Sequence, residues 1–292
     1  MPADALVLGV GGMLGHLVAR VTRERYKTLG AARGTIANAI HFDVCQTDAE
    51  LLGVFRRVRP GGTIINAVGM LAARLNQSDN PSECERGLTV NAVFPHRLAR
   101  LAAGIGLRVI HISTDSVFPH NSGIVTEATP IGPEDIYGLT KAAGELSYPH
   151  CLTIRCSIIG PPGPSSRRGL WAWILDQPQG ATIVGYSNRR WAGVTTGQLG
   201  EVCATLIEDD QFAVVRNHGA VHHLAPNPVI SKFVLVDSLA RLLRADIIVT
   251  AQDADPPWDR QLHSRYGVLD RLAPKWKDWP AALAAMKLNC TT

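Results

Sequence analysis

Tyr137 and Lys141 stand four residues apart in the stretch Tyr-Gly-Leu-Thr-Lys, so on a helix they share one face. An ammonium beside a phenol favours the phenolate and is expected to lower a pKa that starts at about 10 in water. The tyrosine then becomes a usable acid near neutrality. A surface tyrosine with a solvated lysine one turn on has the same spacing, so other residues must support the pair. Ser113-Thr114-Asp115 closes an apolar run that starts at Leu107. The Thr114 hydroxyl could bind a substrate oxygen there, although such triplets also make ordinary turns.

Near the amino terminus, Gly9-x-x-Gly12-x-x-Gly15 lies between the apolar run Ala5–Val10 and a stretch with helical spacing at Leu14, Leu17, Val18 and Val21. Glycines in that context permit a tight turn. They also let backbone N–H groups, with Met13 and Leu14 opening the helix, approach a pyrophosphate at the positive end of the helix. Where an acidic residue would meet an adenosine ribose, the chain reads Gly30-Ala-Ala-Arg33-Gly34. An arginine suits a 2′-phosphate, so NADP is expected over NAD, though a solvated loop arginine would look the same. Asp43 could accept from an adenine amino group or cap the helix that follows. Asn66-Ala67-Val68-Gly69 ends another apolar run and would pass the nicotinamide side of a crevice. Asn91 falls inside a helical stretch, where asparagine has poor propensity. It either serves the cofactor side or satisfies neighbouring backbone.

Composition excludes several classes. The formal charge of +4 over 292 residues is small and carries no basic stripe, so no nucleic-acid partner is expected. The 6 cysteines, Cys45, Cys84, Cys151, Cys156, Cys203 and Cys290, show no Cys-x-x-Cys pair and no ligand spacing with histidine. They read as reduced thiols of a cytoplasmic protein, with no metal and no disulfide framework. His222 and His223 are adjacent on an expected strand, face opposite ways, and so cannot share one metal ion. No stretch approaches the roughly 20 apolar residues of a membrane span, and the start lacks the pattern of a signal peptide.

The elements that must position these residues follow from apolar runs alternating with amphipathic stretches. Strands are expected at 5–10, 27–32, 39–43, 63–69, 107–113 and 151–155. Helices are expected at 16–25, 48–59 (closed by Pro60-Gly61-Gly62), 81–103 and 133–147, with a polar segment over 71–81. This alternation predicts an α/β fold with a doubly wound parallel (Rossmann) sheet. After Gly160-Pro-Pro-Gly-Pro164 the texture changes. A soft boundary there separates a dinucleotide-binding domain over 1–160 from a smaller, mixed α/β substrate-binding lobe over 161–292, some of whose elements are expected to return to the core. In that lobe helices are expected at 169–175, 196–208, 230–244 and 280–286, and strands at 181–185 and 220–225. All 6 tryptophans lie after the boundary. Trp191 is the one singled out as facing substrate.

The ordered set Gly9-x-x-Gly12-x-x-Gly15, Asp43-Val44, Asn66-Ala67, Val90-Asn91-Ala92, Ser113-Thr114-Asp115-x-Val117-Phe118 and Tyr137-x-x-x-Lys141 resembles the extended short-chain dehydrogenase/reductase superfamily. Within it, the Ser-Thr-Asp-x-Val-Phe run and Arg155-Cys-Ser157 look most like the dTDP-4-dehydrorhamnose reductases and their sugar-nucleotide relatives. The likeness covers nearly all of 1–160. Beyond that it is looser, resting on 169–174, 190–196 and Arg260-x-Leu262-x-Ser264.

The resemblance implies an NADPH-dependent reductase of a nucleotide-linked 4-keto deoxyhexose. Tyr137 would protonate the keto oxygen, Lys141 would hold the nicotinamide ribose and lower the tyrosine pKa, and Thr114 would orient the carbonyl. Gly9, Gly12, Met13, Leu14, Gly15, Arg33, Asp43, Val44, Ala67, Val68, Gly69 and Asn91 would complete the cofactor site. Ser116, Ile158 and Trp191 would face the sugar. Ser116 stands where the rhamnose-forming enzymes have tyrosine and Ile158 where they have tryptophan, so a related sugar on dTDP, UDP or GDP is as consistent as rhamnose. A homodimer fits the family. Two other readings stay open: an epimerase that retains NAD, and a non-catalytic NADP-binding subunit like the methionine adenosyltransferase β subunit.

Overall fold

The computed structural model describes residues 1–76, 80–165 and 167–291, with side chains described as far as residue 286. Part of the polar segment expected over 71–81, and the thiol of Cys290, lie outside the described residues and side chains.

Seven strands form one sheet: β1 (Ala3–Leu8), β2 (Thr28–Ala32), β3 (Ala39–His41), β4 (Val58–Asn66), β5 (Arg108–Thr114), β6 (Cys151–Cys156) and β7 (Val221–His223). Their spatial order is β7-β6-β5-β4-β1-β2-β3, and every neighbouring pair is parallel. Successive side chains of a strand face opposite ways, and β1 shows the consequence. Ala5 and Val7 enter one apolar cluster with Leu14 and Val18, while Leu6 and Leu8 enter another with Phe55, Phe94 and Leu98. A strand buried on both faces must be apolar throughout, which is why its sequence shows no alternation. The strand order reverses at β1 and β4, and doubly wound sheets bind ligands at the carboxyl ends of strands at such a point.

The helices that matter for the site are α1 (Met13–Arg23), α2 (Asp48–Phe55), α3 (Ala72–Leu75), α4 (Pro81–Gly87), α5 (Phe94–Ala103) and α6 (Ile136–Ala143). Two expectations need correction. The helix expected over 48–59 stops at Phe55, and Pro60-Gly61-Gly62 lies inside β4, beside a register shift between Ala3 and Ala5. The single helix expected over 81–103 is α4 and α5 joined by a π-helical turn, Leu88–Val93. Such turns insert an extra residue per turn and turn up often at functional sites.

After residue 160 the chain builds a second lobe and also returns to the sheet. The lobe packs α7 (Leu170–Leu175) and a long helix (Lys232–Leu243) around Trp171, Ile183, Trp191, Leu239 and Trp279. Its strands Thr182–Tyr186 and Ile248–Gln252 pair in parallel. Between these pieces, α8 (Thr196–Thr205) and α9 (Asp209–His218) bring Leu199, Val202, Phe212 and Val215 onto the sheet face that carries Val7. The α8 start is held by a capping box in which Thr195 and Gln198 satisfy each other's backbone N–H groups. β7 then extends the sheet beside β6.

A buried ion pair lies under the site. Arg155 donates from Nε and Nη2 to the two carboxylate oxygens of Glu145, at 2.7 and 2.6 Å, and Ser113 Oγ donates to the same carboxylate at 2.7 Å. The two side chains are only 7% and 9% exposed. Arg155→Leu is therefore expected to cost about 3–5 kcal/mol of unfolding free energy, because Glu145 would stay behind as an unpaired buried charge. Urea unfolding measures it, and an unchanged midpoint would show that the pair does not support the fold.

Candidate active site

The geometry of α6 follows from contacts at its two ends. Asp135 caps it, its Oδ1 accepting from Gly138 N at 2.6 Å. A Cβ on Gly138 would collide with the Ser116 carbonyl, and one on Gly144 with the Asn91 carbonyl. The absence of side chains there lets α6 press against both the end of β5 and the π turn. Thr140 Oγ1 accepts from Asn91 Nδ2 at 3.1 Å, fastening the middle of the helix.

This places Tyr137, Lys141 and Thr114 on one cavity of about 710 Å3. The Thr114 hydroxyl donates to Asp115 Oδ1 at 3.1 Å and accepts from Ser116 N at 3.2 Å. The expected lowering of the tyrosine pKa does not occur. Burial pushes it up to about 12, and the Thr114 hydroxyl nearby only partly opposes that. Burial also pushes Lys141 down to about 8, with the Glu145 carboxylate pulling the other way. The lysine ammonium donates to the Ile112 carbonyl at 2.7 Å, so in this arrangement its charge is spent on backbone rather than on the phenol. Burial outweighs charge proximity here, with Lys141 buried and Tyr137 half-buried in the cavity wall.

The glycine turn between β1 and α1 fits a dinucleotide. Gly9 has φ +90°, where an L side chain would be strained, and a Cβ on Gly15 would collide with the Gly9 carbonyl. No side chain caps α1, so its first N–H groups remain available to an anion. A smaller cavity of about 350 Å3 continues the cleft away from Tyr137. The two cavities share Gly11, Gly12, Arg33, Val68, Gly69, Met70, Arg74 and Ser165.

Of the residues expected from sequence, Gly9, Asp43 and Val44 line the smaller cavity. Met13, Leu14, Ala67, Ser116 and Ile158 line the larger, and Gly12, Arg33, Val68 and Gly69 line both. Three do not face the cleft. Gly15 packs inside the turn. Asn91 is fully buried, its Oδ1 accepting from Met70 N at 2.8 Å and its Nδ2 donating to Met70 O at 3.0 Å, so it fixes the segment after β4. Trp191 is 3% exposed and packs against Trp279 at a tilt, with ring centroids 4.7 Å apart. It reaches the cleft only through Ser157, to whose Oγ its Nε1 donates at 2.8 Å. Trp191 belongs to the packing of the second lobe because its large ring finds apolar cover there. Asp43 is partly engaged as well, its Oδ1 accepting from Cys45 N at 2.9 Å.

Sequence reasoning missed several groups. Arg74 lines both cavities and is gripped by Glu83 through two hydrogen bonds; Arg86 lines the smaller one. Ser165 N donates to Gly11 O at 3.0 Å, laying the segment after Gly160 across the glycine turn. Arg260 approaches Ser116 Oγ at 3.3 Å and donates to the Phe118 carbonyl at 2.9 Å. Asn76 spans from the end of α3 to α6, its Oδ1 accepting from Tyr137 N at 3.1 Å and its Nδ2 donating to Asp135 at 2.8 Å. Arg260 stood in the resemblance without an assigned role, and the others carry no local sequence signal of their own.

A parallel sheet of this order, with a glycine turn and a Tyr-x-x-x-Lys helix at its carboxyl edge, defines an extended short-chain dehydrogenase/reductase. More narrowly, residues 3–257 match the family described as RmlD substrate binding domain, and the chain belongs to that family. The dTDP-4-dehydrorhamnose reductase of Mycolicibacterium smegmatis is 37% identical over 152 residues, covering 50% of this chain and 41% of that protein. The chain thus matches less than half the length of that relative. The enzyme of the same name from Mycobacterium tuberculosis H37Rv is 28% identical over 249 residues, covering 78% of this chain and 71% of the relative. The crystal structure of dTDP-4-dehydrorhamnose reductase from Bacillus anthracis, in complex with NADP, is 16% identical with a TM-score of 0.75 and covers 98% of each chain. At that identity the likeness is one of fold.

The Asn76 tie generates a test. It supplies an acceptor to one of the orphan N–H groups in the first turn of α6, so Asn76→Ala should act as the loss of a cap, about 1 kcal/mol. Amide hydrogen exchange of the segment 136–141 is expected to rise about fivefold by the same measure, with exchange of the β1 and β4 amides unchanged. Equal exchange in the variant would show that Asn76 does not hold the helix.

Proposed function

We propose that the protein is a cytoplasmic NADPH-dependent reductase of the 4-keto group of a nucleotide-linked deoxyhexose, as in the dTDP-4-dehydrorhamnose reductases to which it is similar. The observation that carries this reading is that Thr114, Tyr137 and Lys141 line one cavity together with Gly12 and Met13 of the glycine turn. Gly9, Gly12, Met13, Leu14 and Gly69 would hold the dinucleotide, which supplies the hydride when bound. Arg33 supports NADP over NAD, because a guanidinium suits a 2′-phosphate.

The chain's own residues then have separate tasks. Tyr137, with a pKa of about 12, stays protonated at neutral pH and is ready to give its proton to the ketone oxygen. Thr114 orients that oxygen beside the phenol. Negative charge grows on the oxygen as the carbonyl is reduced, so donors aimed at it stabilise the transition state more than the ground state. Lys141, lining the same cavity, offers a cation to the ribose hydroxyls of the nicotinamide. Ser116 and Ile158 present smaller side chains toward the sugar than the tyrosine and tryptophan of the rhamnose-forming enzymes, which supports a related sugar carried on dTDP, UDP or GDP.

Incubation with NADPH and a panel of nucleotide-linked 4-keto sugars tests the reading through loss of NADPH absorbance. Tyr137→Phe is expected to lower kcat by roughly 10²–10⁴-fold, the usual contribution of a positioned acid. Near-native turnover in that variant would remove Tyr137 as the acid. Tightly retained NAD with no net NADPH consumption would replace the reductase by an epimerase, and stable co-purification with a partner without reduction would replace it by a subunit role. A pH profile adds a second expectation. The Lys141 ammonium is present below about 8 and lost above it, so kcat/KM for NADPH should fall as pH rises through about 8. A flat profile from pH 7 to 9 would exclude a role for its charge.

A further inference from the structure

Arg74 and Arg86, which the proposed reaction does not use, line the smaller cavity together with Arg33. They arrive from different crossovers. Arg33 follows β2, whereas Arg74 sits in α3 and Arg86 in the last turn of α4, both between β4 and β5. Three arginines thus line one space of about 350 Å3, and Asp43 is the one carboxylate among the described residues lining it. Asp43 already accepts from Cys45 N. Among the described residues neither Arg33 nor Arg86 has an ion-pair partner, while Glu83 holds the Arg74 fork through two hydrogen bonds, one of them 2.6 Å.

Arginines lining one small cavity concentrate positive charge around it, which favours an anion placed between them. The planar forks of arginine match the oxygens of a phosphate group geometrically. The cavity also adjoins the end of β2, where a site for NAD would place an acid against the ribose hydroxyls. We propose that Arg74 and Arg86 join Arg33 in a phosphate subsite that selects the 2′-phosphate of NADP, with Glu83 as the positioning residue that fixes Arg74. This rests on the reading that a dinucleotide occupies the glycine turn, and it does not depend on which sugar is reduced. Two of the three cations come from the segment that also carries Asn76, so the element that reads the cofactor's phosphate is contiguous with the one that holds the start of α6.

Calorimetric titration of the full chain with 2′,5′-ADP and with 5′-ADP tests the subsite, because these probes carry the adenosine phosphates without nicotinamide or sugar. The wild type is expected to bind 2′,5′-ADP at least about tenfold more tightly than 5′-ADP, as charge-assisted hydrogen bonds to one extra phosphate support. Arg86→Ala and Arg74→Ala should each remove about tenfold from 2′,5′-ADP binding and leave 5′-ADP within about twofold. Arg86→Lys, which keeps the charge and loses the fork, should fall between. Equal binding of the two probes by the wild type overturns the proposal, and so does parallel weakening of both in every variant. Discrimination that persists without any keto-sugar turnover would remove the reductase and leave the subsite standing. Turnover equally fast with NADH and NADPH, with no discrimination between the probes, would do the reverse.

Discussion

The contact on which the site depends is made by a single buried amide. Asn91 sits in the π turn, takes both the N–H and the carbonyl of Met70, and gives its remaining proton to Thr140 in α6. Three segments distant in sequence are thereby fixed to one another: the exit of β4, the long helix between β4 and β5, and the helix that bears Tyr137. Each of these bonds is shielded from water, so losing one would leave a buried backbone group without a partner rather than exchange it for solvent. The π turn makes the arrangement feasible. By widening one helical turn it brings Asn91 into line with Met70 while the flanking turns keep their apolar faces on the sheet.

The parts of the structure legible in the sequence are those set by short-range pattern. β1, the glycine turn and α1 could be read because apolar runs, glycine spacing and helical periodicity are contiguous. The Tyr137–Lys141 pair and the β5 end at Thr114 were legible for the same reason, as was the winding of the sheet. What escaped depends on partners far along the chain. The π turn looks like ordinary helix in composition, and Asn76, Arg74 and Arg86 look like surface residues until α6 and β2 are placed beside them. The short strands Gly123–Val125 and Arg260–Leu262, which pair with each other, carry too few residues to show a period. The Tyr137 pKa was misjudged because proximity of charge can be read from spacing, whereas burial depends on the whole fold. Trp191 illustrates the same limit, since an aromatic near a cleft and one behind it have the same local sequence.

The end of the larger cavity that Ser116 lines owes its character to what surrounds that side chain. Ser116 is small, and Arg260 reaches into its neighbourhood, bonded also to Asp115. Lys232 lies over the Trp191 ring at 4.8 Å, and burial pushes its pKa down to about 8. The second lobe thus sets the Lys232 charge on an aromatic ring, where a shielded charge acts more strongly than one in water.

The order in which the chain visits the sheet has a bearing on its synthesis. The strand at one edge, β7, and the helix that covers the Val7 face, α8, are both made after residue 190, long after β1. While the first 160 residues emerge, the face that carries Val7, Val10 and Ile154 has α1 but lacks the cover of α8 and α9, and β6 is an open edge with unpaired backbone groups. The nascent chain carries a sticky face and a free strand edge for as long as it takes to make about 60 further residues, several seconds at ordinary elongation rates. The sheet that carries the glycine turn is thus completed only by residues made long after it.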